Sequence, residues 1–345
     1  VSLPPTSEQQ RIVAKVDQLI ALCDVLEAKK EKQQTAHTRL NKSALYALRE
    51  SKNNDELTAN WSRVNKSFPH LFTTPESIQE LRSTILQLAA KGRLVPQNPN
   101  DPPASELLKE IKAEKERLVK EGKVKKTKPL PEIDPEVVPF ELPEGWEWAR
   151  LGNCIELISG QHLKPDEYHK NTKGIPYIPG PADFGFEKPE PARWTLKEQG
   201  PIAKKNDILI TVKGSGVGKL NTLHFNKAFI GRQLMAIRPI VVYQRFVKII
   251  LDNAYRIFQD KRVGIAIPGI GRMDILYFLL PLPPLPEQNR IVNKVDQYMD
   301  LCNELEGTIT QSQLHSEKLL ATVVGEISGT KQKPDLVSSN PANPN

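Results

Sequence analysis

The stretch that comes nearest to a chemical motif is Lys213-Gly214-Ser215-Gly216-Val217-Gly218-Lys219-Leu220. A glycine-rich loop ending in lysine suggests a phosphate cradle, in which a hydroxyl after the lysine holds magnesium. Two positions break that chemistry: Lys213 stands where the pattern needs its first glycine, and Leu220 where it needs Ser or Thr. Asp101-Pro102-Pro103-Ala104 comes close to a loop that serves methyl transfer to a flipped base. That loop needs an aromatic ring to stack on the base, and Ala104 has none. There is no Gly-x-Ser-x-Gly elbow and no convincing cluster of carboxylates with lysine, and the six histidines are scattered; His162, His169 and His224 read as surface or loop residues. Three cysteines (Cys23, Cys154 and Cys302), without a Cys-x-x-Cys pair, argue against structural zinc and against a disulfide framework, and fit a reducing cytoplasm. The residues therefore predict a protein with no catalytic site, no metal and no cofactor.

Binding chemistry is better supplied. The chain carries a net charge of +7, and all of it falls in one segment: residues 143–282 hold 20 Lys+Arg against 13 Asp+Glu, while the rest holds 28 of each. Such a field attracts polyanions. On charge the segment reads either as a nucleic-acid binder or as a merely basic, solvated surface; the side chains that would meet DNA lie on turns after strand-like runs. Lys213, Ser215 and Lys219 flank the glycine-rich turn, where backbone can approach a ligand closely. Arg232 and Gln233 offer bidentate donors for base edges. Tyr177, Arg193, Arg262 and Arg272 complete the set. The run Lys123, Lys125, Lys126 and Lys128 reads as a solvated, mobile linker, with phosphate contact as the alternative.

The elements that must position these residues are announced by a repeat. Leu3-Pro4-Pro5-Thr6-Ser7-Glu8-Gln9-Gln10-Arg11-Ile12-Val13 returns as Leu282-Pro283-Pro284-Leu285-Pro286-Glu287-Gln288-Asn289-Arg290-Ile291-Val292, and 16 of 25 positions from Leu3 to Glu27 are identical in the second copy. Each copy opens a helix: Thr6 and Gln9 fit a capping box, and Pro286 suits a first turn. A heptad stripe follows in each, through Ile12, Val16, Leu19, Cys23 and Leu26, and through Ile291, Val295, Tyr298, Cys302 and Leu305. Such a stripe needs a partner helix, and two long helices entering and leaving one domain would run antiparallel. Amphipathic helices are also expected over Pro75–Lys91 and Ala104–Glu121. Strands are expected at Trp148–Ile158, Ile175–Ile178, Asp207–Val212 and Leu234–Pro239, with a helix at Phe246–Phe258. The fold class is α+β: a mixed globular domain flanked by long helices forming an antiparallel coiled coil. The expected divisions are a helical arm at 1–60, a helical segment with a Lys/Pro-rich linker at 61–141, the binding domain at 142–282, a second arm at 283–328 and a disordered tail at 329–345. The longest apolar run, Ile275 to Leu282, is too short to span a membrane, and no secretory signal opens the sequence. The missing initial Met suggests a fragment or a processed product.

The doubled Leu-Pro-Pro-x-x-Glu-Gln-x-Arg-Ile-Val element resembles the conserved regions of type I restriction-modification specificity subunits. Leu142-Pro143-Glu144-Gly145-Trp146-Glu147-Trp148 is similar to the entry of their target-recognition domains. Gly174-Ile175-Pro176-Tyr177-Ile178, Lys205-Asn206-Asp207-Ile208-Leu209-Ile210 and Gly264-Ile265-Ala266-Ile267-Pro268-Gly269-Ile270 are similar to further landmarks. The resemblance implies sequence-specific recognition of double-stranded DNA, one half of a bipartite target per domain, with docking of methyltransferase (M) subunits and, through them, restriction (R) subunits. Only one recognition domain is present, which implies either half of a longer subunit or a half-size subunit that forms a homodimer. The alternative from the residues alone is a non-enzymatic coiled-coil scaffold whose basic domain binds RNA or another polyanion.

Overall fold

The computed structural model describes residues 3–185, 188–214, 216–255, 258 and 269–328. It divides into two compact units, one of residues 1–46, 59–81 and 300–345, the other of 47–58 and 82–299. Ser215, Arg262, the stretch 264–268 and the tail at 329–345 lie outside the described residues.

The first unit is helical. It contains most of α1 (Thr6–Arg49), with α2 (Asn54–Lys66), α3 (Phe68–Leu71), the start of α4 (Pro75–Ala90) and the end of α9 (Leu285–Ser328). At 44 residues, α1 is on the order of 65 Å long. The capping box expected at Thr6 is replaced by another local bond: helix begins at Thr6 itself, and Gln9 Nε2 donates to the Pro4 carbonyl at 2.7 Å. Near its other end Asn41, buried, donates from Nδ2 to the Leu71 carbonyl at 2.9 Å. Leu45, Val64, Leu71 and Ile78 close this small core. The stripe of the first copy stays open: Ile12 is 50% exposed and Val16 47%, and Leu19, Cys23 and Leu26 are exposed as well.

The second unit holds the mixed domain. The chain enters on β1 (Glu147–Arg150) and leaves on β10 (Leu279–Leu282), which pair antiparallel. The single long strand expected from Trp148 to Ile158 is broken by α6 (Leu151–Cys154), one helical turn, before β2 (Ile155–Ser159). One four-stranded sheet runs β2, β9 (Leu234–Pro239), β6 (Ile208–Thr211), β7 (Leu220–Thr222), all antiparallel. The other runs β4 (Arg193–Thr195), β3 (Ile175–Ile178), β8 (Lys227–Ile230), β5 (Ile202–Lys204), with β3 and β8 parallel. Every residue of β6 is buried, as expected where both faces of a strand are covered. Ile178, Ala203, Ala228 and Ile230 from one sheet join Leu209, Leu234 and Ala236 from the other in a common core.

Helices add buried faces by simple spacing. On α5 (Ala104–Lys120) Ala104, Leu107 and Ile111 are buried, and on α7 (Gln244–Asn253) Phe246, Val247, Ile249, Ile250 and Leu251 are. The α7 helix lies against β7 and β9, and α5 against α6. A short α8 (Arg272–Leu276) precedes β10. Arg238 on β9 pins the sheet. Its guanidinium donates to both Asp207 oxygens (2.9 and 2.7 Å) and to Glu156 Oε2 at 2.5 Å. Burial works against the charge of Arg238, but Asp207 and Glu156 outweigh it and its pKa rises. Asn206 turns the chain before β6 with φ of 71°, which Asn tolerates better than most residues.

Candidate nucleic-acid interface

The predicted DNA contacts gather at one end of the β2-β9-β6-β7 sheet. Thr211, ending β6, is opposite Leu234, starting β9. Just beyond, Val212 N–H donates to the Gln233 carbonyl at 2.8 Å, and Thr211 N–H to the Lys219 carbonyl at 2.9 Å. Lys213 bridges to Gly269, and the Ile270 N–H bonds Val212 at 2.9 Å. Lys213, Lys219, Arg232 and Gln233 are therefore neighbours, and Lys213, Arg232 and Gln233 stand exposed. Arg272 joins the same end, where its Nη1 donates to Ser159 Oγ at 3.1 Å.

Glycine makes this crowding possible. A Cβ at Gly160 would stand 2.0 Å from the Gly231 carbonyl oxygen, and one at Gly180 would stand 2.0 Å from Gln233 Oε1. The result is a rim of close-packed backbone turns with cationic and amide side chains on top, suited to a groove of nucleic acid.

Two expected contacts are placed otherwise. Tyr177 is a core residue, 1% exposed. It packs against Tyr168 and Phe229, and its hydroxyl accepts from the Leu163 N–H at 3.3 Å. Tyr177 lies on β3 directly opposite Phe229 of β8, and its ring is enclosed with Phe229 and Leu163 in a buried cluster. Arg193 on β4 is half-buried, with its guanidinium 5.6 Å from the centre of the Tyr168 ring; it braces the fold beside Asp183, whose carboxyl is pushed up by burial.

The reading of the residues missed a second polar assembly, which locks the long helix α9 to the domain. Glu287, 2% exposed, accepts from Trp146 Nε1 and from Gln97 Nε2, each at 3.0 Å. Gln288 accepts from the Tyr243 N–H at 3.0 Å, Arg290 donates to Asp101 at 2.6 Å, and Arg245 pairs with Asp296. These bonds flank the stripe of the second copy, where Ile291 is 0% and Val295 1% exposed. Cys302 is also buried, while Tyr298 and Leu305 are half-buried. The repeated Pro-Pro-x-x-Glu-Gln was the available signal, but the partners of its glutamate lie 141 and 190 residues away and that of its glutamine 45. Asp101, dismissed as part of a failed motif, is the partner of Arg290.

Burial pushes the Glu287 carboxyl above its ordinary value, against the pull of its hydrogen bonds. A folded-state pKa above the unfolded one contributes stability that is complete below the unfolded value and is lost as pH rises through the folded value. Chemical denaturation at a series of pH values from below 4.5 to neutral should show that loss, and Glu287→Gln should remove it. An identical pH profile for the variant would refute the assignment. Cys154 is buried, and its thiol is pushed up to about 12, so it is not a nucleophile at neutral pH. Among the described residues no group of His, Cys, Asp and Glu has the arrangement of a metal site, and no helix is long and apolar enough to cross a membrane.

The two-sheet domain leads from its last strand into a long helix, and residues 143–312, which contain both sheets, match the family described as Type I restriction modification DNA specificity domain. By this match and over its length the chain is similar to type I restriction enzyme specificity subunits. It is 35% identical to the EcoAI specificity subunit and 34% identical to the EcoEI specificity subunit, both of Escherichia coli, with 91% of this chain covered in each case. It spans 56% of the length of each of those relatives. In fold it is similar to the HsdS subunit from Thermoanaerobacter tengcongensis, with a TM-score of 0.50 at 24% identity over 95% of this chain and 60% of that one.

Proposed function

We propose that this chain reads one half of a bipartite target in double-stranded DNA, as part of a type I restriction-modification specificity subunit, and performs no chemistry itself. The observation that carries this reading is the rim at the end of the β2-β9-β6-β7 sheet, where Arg232 and Gln233 on one side of the β6 end and Lys219 on the other stand exposed together with Lys213. Arginine and glutamine are the side chains that pair bidentately with purine edges in the major groove, and lysines hold phosphates beside them. Methylation and cleavage are left to partner M and R subunits. The open stripe of Ile12, Val16, Leu19, Cys23 and Leu26 suits a partner helix, from a docked M subunit or a second copy of the chain.

Selection of bound sequences from a random duplex library tests the reading. A defined motif should emerge at moderate salt. Arg232→Ala should then cost about 1–3 kcal/mol and relax preference at one base pair. A library that stays random, or a preference for RNA over duplex DNA, would overturn the proposal in favour of the scaffold.

A further inference from the structure

The linker lysines are exposed, but the segment that carries them is tied to the domain at both ends. Gly122 ends α5 with φ of 69°, and the N–H groups of Lys123 and Val124 both bond the Leu118 carbonyl, at 2.9 and 3.2 Å. That C-cap tucks Val124 into the fold at 8% exposure and sets the place of Lys125. Farther on, Arg150 donates to the carbonyls of Pro131 and Glu132, at 2.8 and 3.1 Å. Leu130 occupies the space that a side chain at Gly152 would need. These anchors hold both ends of 123–132.

Between this strap and the sheets lies a cleft of about 630 Å³, lined among others by Lys125, Thr127, Ser159, Gln161, Arg272 and Pro201. It runs along β2 and the start of β5, each the outermost strand of its sheet. Four of its lining side chains are basic (Lys115, Lys125, Arg238 and Arg272), and only Glu156 is acidic. Lys115 is committed to the carbonyls of Gly152, Asn153 and Ile155, and Arg238 holds Glu156. Lys125 has no partner among the described residues, and Arg272 spends one nitrogen on Ser159. The capacity left over is cationic and hydrogen-bond donating, and Ser159 and Arg272 make the cleft continuous with the rim.

We propose that this cleft holds a backbone phosphate of the duplex flanking the bases read by the rim, with Lys125 and Arg272 as its cationic contacts. The proposal rests on the DNA-reading function, and its test separates the two. With the selected duplex, fluorescence anisotropy across a salt series should give a log–log slope shallower by about 0.9 for Lys125→Gln, the share of one phosphate contact. Selection with this variant should return the same motif, and Lys125→Arg should restore the slope. Trimming the duplex to the read bases should weaken the wild type more than the variant. A wild-type slope and wild-type flank dependence in Lys125→Gln, with duplex binding intact, would overturn the cleft alone. Absence of any selected motif in the wild type would overturn the DNA-reading function and this contact together.

Discussion

Arg238→Met should destabilise the protein by about 3–5 kcal/mol, the cost of breaking a buried ion pair from one side. Methionine keeps an unbranched apolar stem but lacks the guanidinium, so the loss reports the charge together with its three hydrogen bonds. Asp207, whose side chain is 3% exposed, would keep only the Lys204 N–H at 2.7 Å, and Glu156 at the surface end would lose its donor. Urea denaturation would read the effect as a lower midpoint. Asp207→Asn combined with Arg238→Met should recover much of it, because no uncompensated charge then remains. A loss under about 1 kcal/mol in the single variant would mean that water reaches Asp207 and that the pair contributes little. The expectation matters for function because β9, which carries Arg238, begins at the rim directly after Arg232 and Gln233.

Trp146→Ala should cost a similar amount, about 3–5 kcal/mol, from the cavity left by a large aromatic side chain. Trp146 is 6% exposed and lies on Gly92, whose φ of 66° and missing side chain leave room for the ring. Its loss would also deprive Glu287 of one of two donors. Trp146→Phe keeps an aromatic ring in part of that space while the N–H goes, and at least about 1–3 kcal/mol should be lost. Thermal unfolding of both variants measures how much of the loss a smaller ring recovers. Wild-type stability in Trp146→Phe would show that the bond to Glu287 adds nothing. In the folded fraction, protease cleavage near the start of α9 should rise in both variants, since Glu287 sits in its first turn.

The strongest elements were legible in the residues. Ile175–Ile178 and Leu234–Pro239 stand where apolar runs between turn residues put them, and Pro75–Ala90 and Ala104–Lys120 follow from helical spacing. Three-residue strands such as β5 and β7 were missed, because so short a run carries no periodicity and exists only by pairing with a neighbour. Arg232, Gln233, Lys213 and Lys219 were legible as polar residues on glycine-rich turns, but their convergence depended on the register of β6 with β9. Tyr177 was misread because an aromatic after Gly-Ile-Pro looks the same in sequence whether its ring points into a core or a groove.

The repeat separates the two levels most clearly. Nearly the same residues open α1 and α9, and in both the glutamine after the glutamate bends back to a proline carbonyl, Gln9 to Pro4 at 2.7 Å and Gln288 to Pro283 at 3.0 Å. That bond spans five residues, so the sequence by itself determined it, along with the helix and its apolar stripe. Burial was decided elsewhere: Ile12 is 50% exposed and Ile291 0%, Val16 47% and Val295 1%, and Glu8 stands exposed while Glu287 is enclosed. Local hydrogen bonds need only neighbours along the chain, whereas removing a side chain from water needs surfaces that distant residues bring, here Trp146, Gln97 and Tyr243. Tertiary structure alone decided which copy of the motif became a lock and which remained an open face.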